Sequence, residues 1–335
     1  MHRLAVLTAC VALVPITVGA LVTTLQAGMA FLDWPSSDGH NMFFYPWIES
    51  FALADKSKAV EHGHRLGGIL IGLLSIGLTA WALRWESRRW VRIATVVILL
   101  GVIGQGVLGG VRVLFDSSRF ALVHGSFAAL VFALMCGVAL VTSRSWFSEP
   151  QRVKDRDVGH LKPVCMLLLG LICAQYVLGG LLRHEGRALY EHIGFGALVT
   201  VMALALGVLA QRTGIRWLRR PGWLLIALVV IQFSLGVSAF VTKFGWAQSG
   251  YVAVYGSMAQ IVIRTSHTIV GMLLFVTSVN ISVRVFWLDR LHLAETASTL
   301  VAEVAKTSGG RPLASHGPNS GESGYMNHLP QGGLS

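Results

Sequence analysis

The sequence predicts an all-α membrane protein with eight transmembrane helices, and three observations predict it. Of the 335 residues, 54% are apolar and 13% charged, and the mean hydropathy is +0.63; soluble domains carry about twice that share of charge. Eight apolar runs reach about 20 residues, the length an α-helix needs to cross roughly 30 Å of hydrocarbon. Those runs also share a recurring pattern of glutamine, glycine and histidine, which pairs them into four hairpins.

The first run, residues 4 to 26, has the basic start and "AGMA" end of a signal peptide, but it is too long for one and takes part in the repeat. The second (66 to 83) and third (93 to 111) are separated by "RWESRRWVR". The fourth (121 to 141) precedes a polar loop, 143 to 162. The fifth (164 to 182) and sixth (192 to 210) follow, then "RTGIRWLRR", the seventh (222 to 241) and the eighth (261 to 283). From about residue 294 the chain turns polar and rich in Gly, Ser and Pro, so 294–335 reads as a disordered tail. Cys10, Cys136, Cys165 and Cys173 all fall within runs, and no disulfide framework or CxxC metal site is indicated.

Cationic loops resist translocation and collect on the cytoplasmic side. One side of the predicted topology holds 18 of the 27 basic residues, while the 16 acids divide equally. This orients both termini to the cytoplasm of a cell (inner) membrane and assigns almost all of the +11 net charge to that face. Topology therefore explains the pI near 10.0, and no nucleic acid is expected as a partner; the partner is the lipid bilayer.

The outward-running spans carry "TLQAGM" (24 to 29), "IGQGVLGG" (103 to 110), "CAQYVLGG" (173 to 180) and "VIQFSLGV" (230 to 237), which match Gln26, Gln105, Gln175 and Gln232. Each inward-running span opens on a histidine, in "EHGHRLGG", "LVHGSFAA", "YEHIGFGA" and "RTSHTIVG". His64, His124, His192 and His267 thus lie near the outer ends of four helices. A lone histidine there is an ordinary interfacial residue. With 12 histidines in the chain, four prescribed windows filled by chance is roughly a one-in-a-thousand event, and polar residues inside membrane helices are costly enough to read as functional.

A neutral imidazole is a good iron ligand, and one from each of two facing helices holds a haem by both axial positions. Zinc would call for four converging ligands, and a proton relay for acids in mid-membrane, which the spans almost lack. Haem fits better. Four residues beyond each histidine stand Gly68, Ala128, Gly196 and Gly271, one turn inward on the same face. They leave room for a porphyrin, although close helix packing explains the small residues equally well. The same comparison favours His64 over His62, which is followed at that spacing by Leu66. Arg65, Arg119, Arg187 and Arg264 are near enough in sequence to pair with haem propionates, with interfacial anchoring as the competing reading. Glu61 precedes His64 by three and shares its face, where a carboxylate can act as a base or stabilise positive charge or simply complement a helix N-terminus.

At these residues the sequence resembles the haem A synthase family. The resemblance covers roughly residues 5 to 288 and rests on Glu61, His64 and Arg65 as the family's E-x-x-H-R, "VHG" at 123 to 125, His192, His267, and "GMAFLDWPSSDG" (28 to 39) in the first outer loop. It implies two pseudo-symmetric four-helix bundles, 1–145 and 160–290. It also implies haem B as the electron-transfer cofactor on His192 and His267, with substrate haem O between His64 and His124. The implied reaction oxidises a methyl group of haem O to the formyl group of haem A through hydroxylated intermediates, with Glu61 stabilising a cationic intermediate. Haem O synthase and cytochrome oxidase assembly factors are the implied protein partners. Where some members have a cysteine pair in that loop, this chain has Phe31 and Ser37; other members lack the pair too, so the departure argues against a disulfide-coupled step there rather than against the family. A membrane cytochrome b that only passes electrons is the alternative; the four histidines suit both, and Glu61 with Arg65 favours the enzyme. A transporter would show broken helices or central charges, and a prenyltransferase aspartate-rich motifs; neither is evident.

Overall fold

The computed structural model describes residues 1–52, 56–152 and 157–307. Among them ten α-helices succeed one another: α1 His2–Thr24, α2 Trp47–Ala52, α3 Lys56–Trp85, α4 Arg89–Leu114, α5 Ser118–Val141, α6 Arg144–Arg152, α7 Lys162–Glu185, α8 Leu189–Arg212, α9 Arg216–Phe244 and α10 Met258–Thr307. No strand occurs among the described residues, only two isolated bridges. All but α2 and α6 are long and apolar enough to cross a membrane, so the chain is a multi-pass membrane protein with the eight expected spans in order. Even α1, with 23 residues, rises about 35 Å, enough for the hydrocarbon layer.

Two helices run beyond their expected limits. α3 starts at Lys56, ten residues before its apolar run, because the segment bearing Glu61, His62 and His64 is its first turns. α10 continues to Thr307, past residue 294 where the sequence turns polar. The chain divides into residues 1–292 and a terminal segment, 293–335; 293–307 are helical, and the remainder of the expected disordered tail, 308–335, lies outside the described residues.

Local chemistry sets the helix ends. Ser117 caps α5, its hydroxyl accepting from the Phe120 amide. α7 stops at Gly186, whose φ of 70° suits a residue without a Cβ. Within residues 1–292, α1 lies against α3 and α5, α3 against α4, and α4 against α5; α7 packs on α8 and α8 on α9. α10 joins the latter group where Phe275 meets Tyr176 edge-on at 5.8 Å and where Arg284 Nη1 donates to the Trp217 carbonyl at 2.6 Å. α5 and α7 touch where the two groups meet.

At the end away from the histidines, aromatic contacts and charged bonds hold helix termini that hydrocarbon would leave unsatisfied. Arg88 grips Glu86 with two nitrogens, at 2.8 and 3.0 Å, and donates to the Val141 carbonyl at 2.8 Å. The Arg88 guanidinium holds the Glu86 carboxyl below its usual range, outweighing the opposing effect of burial. Trp146 meets Trp217 at 5.5 Å and Trp287 at 5.2 Å with the ring planes tilted by 57° and 37°.

Without a hydrophobic drive between helices in lipid, close approach at small residues supplies the packing. At the crossing of α8 and α9, a Cβ on Gly207 would lie 2.5 Å from Ile226 Cγ1 and 3.1 Å from the Gly222 carbonyl oxygen. Gly207→Leu is expected to destabilise the detergent-solubilised protein by about 1–3 kcal/mol, read as a lowered thermal midpoint. Gly170→Leu, at a glycine with nothing within 4 Å, should leave that midpoint unchanged.

Candidate functional site

The four sequence-marked histidines come together as two couples. His64 on α3 faces His124 on α5 with ring centroids 6.1 Å apart and ring planes 84° apart. His192 on α8 faces His267 on α10 at 6.2 Å and 75°. Two imidazole nitrogens each about 2 Å from one metal ion lie about 4 Å apart, which puts the ring centroids about 6 Å apart. The spacing of both couples fits a single metal centre held axially. Among the described residues no group of three or more His, Cys, Asp or Glu gathers; each couple offers two imidazole nitrogens, a donor set that could hold haem iron.

Each imidazole is backed by a glycine of the helix packed against it. A Cβ on Gly19 would stand 2.7 Å from His64 Cε1; the corresponding distances are 3.3 Å for Gly109 and His124, 3.1 Å for Gly179 and His192, and 3.3 Å for Gly236 and His267. In all four the Nδ1–Cε1 edge meets the glycine, leaving Nε2 as the nitrogen further from it. His64 Nδ1 bonds to the Pro15 carbonyl at 2.9 Å. A proton on Nδ1 directed there leaves the Nε2 lone pair free for a metal.

This geometry corrects the repeat. In three hairpins the backing glycine follows the glutamine by four residues: Gln105 and Gly109, Gln175 and Gly179, Gln232 and Gly236. Behind His64 the glycine is Gly19, so the place of the glutamine is taken by Pro15. Gln26 falls beyond the end of α1 with φ 55° and is not the fourth member. The three true glutamines reach the next helix: Gln105 Nε2 donates to the His124 carbonyl at 3.2 Å and Gln175 Nε2 to the His192 carbonyl at 2.7 Å, and Gln232 Nε2 lies 3.4 Å from His267 Nε2. The small residues one turn inward divide accordingly. A Cβ on Gly196 would meet Gln175 Nε2 at 2.9 Å and one on Gly271 would meet Gln232 Nε2 at 3.1 Å, whereas Gly68 has nothing within 4 Å. In the His192–His267 couple the small residues admit an amide; beside His64 they leave open space.

Glu61 is only 4% exposed and has both oxygens engaged. Oε1 accepts from Arg65 Nη2 at 2.8 Å, and Oε2 from the amides of Ala30 at 2.8 Å and Phe31 at 3.3 Å. Arg65 also donates to the carbonyls of Asp33 at 3.1 Å and Ser36 at 2.7 Å and lies 4.9 Å over the Phe31 ring. The two residues together clamp the loop 30–37 onto α3 beside His64. His62 is the third fastener: fully enclosed, it lies 3.4 Å from Ser37 Oγ, 6.1 Å from the Phe31 ring and 4.8 Å from the Tyr45 ring. Phe31 and Ser37 both bury their side chains against this histidine.

Of the four arginines suggested by sequence, Arg65 lies in the clamp beside His64 and Arg264 next to Arg183, while the other two turn outward. Arg119 is exposed and the Arg187 side chain is 78% exposed. Two others point inward: Arg112, which donates to the Gly28 carbonyl at 2.7 Å, and Arg183, which donates to Thr268, to the Ala20 carbonyl at 2.5 Å and to Thr24 Oγ1 at 2.9 Å. Extending the repeat to "VLGGVR" (107 to 112) and "VLGGLLR" (177 to 183) would have found both.

The family model for cytochrome oxidase assembly protein, COX15-CtaA, matches residues 2–193. Curated relatives are named heme A synthase. That of Rhizobium rhizogenes is 32% identical over 45% of this chain and 41% of its own length, that of Bacillus pumilus 25% identical over 56% and 60%, and that of Listeria monocytogenes serotype 4a 30% identical over 38% and 39%. The chain thus matches about half the length of these relatives. No solved structure matches it.

The loop carries a pH dependence outside the membrane spans. Burial raises the Asp33 carboxyl, but hydrogen bonds from the Gly39 amide, the Ser36 hydroxyl and the Asp38 amide outweigh it and hold it below its usual range. A depressed carboxyl stabilises the fold above its unfolded value, about 4, and loses that contribution as pH falls through the folded value. Hydrogen exchange should find the Asp38 and Gly39 amides protected at pH 5 and above and released only in stronger acid, and Asp33→Asn should abolish that acid step.

Proposed function

Because the chain belongs to the family of cytochrome oxidase assembly proteins, we propose that it is an oxidoreductase of the haem A synthase type, oxidising a methyl group of haem O to the formyl group of haem A through hydroxylated intermediates. The observation that carries this reading is the presence of two facing histidine couples, at 6.1 and 6.2 Å, each backed by glycine. Two such couples on separate helix pairs suit one site for a substrate and one for a resident redox group.

His64 and His124 take the substrate. The open space at Gly68 and the clamped loop beside His64 distinguish this couple from its counterpart and favour it as the reacting site. His192 and His267 hold haem B, which when bound supplies one-electron transfer. Glu61 stabilises positive charge developing on the substrate, since a carboxylate fixed by three donors in an enclosed site offers preorganised charge at no cost in reorientation. Phe31 and the loop beneath it exclude water from that side. The asymmetry of basic residues supports a cell-membrane location with both termini cytoplasmic and the histidine sites towards the outer face. Haem O synthase and cytochrome oxidase assembly factors are the expected partners.

Pigment extracted from the purified protein should contain haem B together with haem O, hydroxylated haem or haem A. Haem B alone in both sites would overturn the enzyme in favour of an electron-transferring cytochrome. Glu61→Gln should retain the bound pigment and lower haem A production at least tenfold, whereas Glu61→Ala should also release the loop, seen as faster proteolysis between residues 30 and 40. Full haem A production by Glu61→Gln would remove the carboxylate from the reaction.

A further inference from the structure

Arg183 is a cation without a counter-ion at the junction of the two histidine couples. Its guanidinium spends its terminal nitrogens on neutral oxygens: the Ala20 carbonyl at 2.5 Å, Thr24 Oγ1 at 2.9 Å and the hydroxyl of Thr268. Its Nε is enclosed and has no partner. Among the described residues, no carboxylate lies within ion-pairing distance of it, and the charged neighbour acting on it is Arg264, of like sign. Arg112 differs, since its charged neighbours include Glu61 and Asp116. A charge withdrawn from water without a partner costs several kcal/mol, and a neutral side chain could tie three oxygens together without that cost.

The contacts say where an anion would be met. Ala20 follows Gly19, the glycine behind His64, and Thr268 follows His267. One guanidinium therefore touches the wall of both sites, and Thr24, itself bonded to Thr265 at 3.3 Å, closes the gap between α1 and α10. We propose that Arg183 is an anion-binding residue at this seam, holding a carboxylate of the tetrapyrrole carried by a neighbouring histidine couple. This rests on the haem reading proposed above. Of the five N–H donors of the guanidinium, three are spent on the oxygens of Ala20, Thr24 and Thr268, and that on Nε and the second on Nη1 are left for a carboxylate; the acidic substituents of a haem are its propionates. The same cation, fixed between the two couples, favours the reduced state of a haem beside it.

The test compares the wild type, Arg183→Gln and Arg183→Lys, each purified in detergent and offered haemin or its dimethyl ester, in which both carboxylates are masked, in exchange for the bound pigment. The wild type should prefer haemin by about tenfold or more. Arg183→Gln should take up both equally, and Arg183→Lys should recover part of the preference. A redox titration of the bound low-spin haem should show a lower midpoint potential in Arg183→Gln than in the wild type. An undiminished preference in Arg183→Gln, or a lysine variant that loses it as completely as the glutamine variant, overturns the proposal while leaving the haem reading intact. A wild type that is purified without any tetrapyrrole and then takes up neither overturns the haem reading itself and the inference with it.

Discussion

An imidazole inside a helical membrane bundle has to be oriented by its neighbours, because the lipid offers neither water nor hydrogen bonds. Here the orienting contact is a glycine on the adjacent helix, repeated four times: Gly19 behind His64, Gly109 behind His124, Gly179 behind His192 and Gly236 behind His267. With a side chain at these positions the helices could not approach closely enough, and the ring would turn away from its opposite number. The close approach sets the couples about 6 Å apart, and the couples in turn require the helix order, since the histidines lie on α3, α5, α8 and α10 and the glycines on α1, α4, α7 and α9, so that along the chain each glycine-bearing span precedes a histidine-bearing one. Interhelical packing at small residues, the usual way of joining helices in a membrane, has here become the means of aiming ligands.

The two couples are built on one plan but are not equivalent. Three histidines stand beside a glutamine that bonds the histidine's own backbone carbonyl or approaches its ring. His64 stands beside Pro15 and bonds the proline carbonyl directly. The replacement removes an amide that elsewhere occupies the space over the next small residue, and at Gly68 that space is free. The loop clamp falls on the same quarter of the molecule, with Glu61, His62 and Arg65 all on the first turns of α3. The quarter around His64 thus carries the differences between the couples, as the proposed division into a substrate site and a cofactor site requires.

The sequence made the architecture legible because each requirement leaves a local mark. Crossing hydrocarbon needs about 20 apolar residues, and histidines at fixed places in such runs stand out against an almost uncharged background. The repeat marked four equivalent histidines, and the family resemblance, not the repeat, implied that His64 goes with His124 and His192 with His267. Two kinds of information were not legible. Gln26 matched the repeat by residue type, yet the equivalence that counts is depth in the membrane, and that is set by where α1 crosses α3. Glu61 shared a face with His64, but its engagement by the amides of Ala30 and Phe31 depends on the path of a loop some 30 residues away, which helical periodicity does not report. Arg112 and Arg183 were visible in the extended repeat; only the fold shows that Arg119 and Arg187 turn outward while these two turn in.

Charge distribution around the couples follows a rule that the residue types alone do not reveal. On the His64 side the carboxylate is saturated: Glu61 has Arg65 at 2.8 Å and two backbone amides, so its charge is held in place and the loop with it. At the seam between the halves Arg183 has only neutral oxygens. An enclosed site tolerates an excess of one sign when its occupant carries the other, because the desolvation cost is then recovered on binding. A tetrapyrrole meets both conditions at once, with a ring that gains positive charge as it is oxidised and acidic substituents at its edge. The held carboxylate beside His64 and the unanswered positive charge at the junction are the complement that the proposed tetrapyrrole would require.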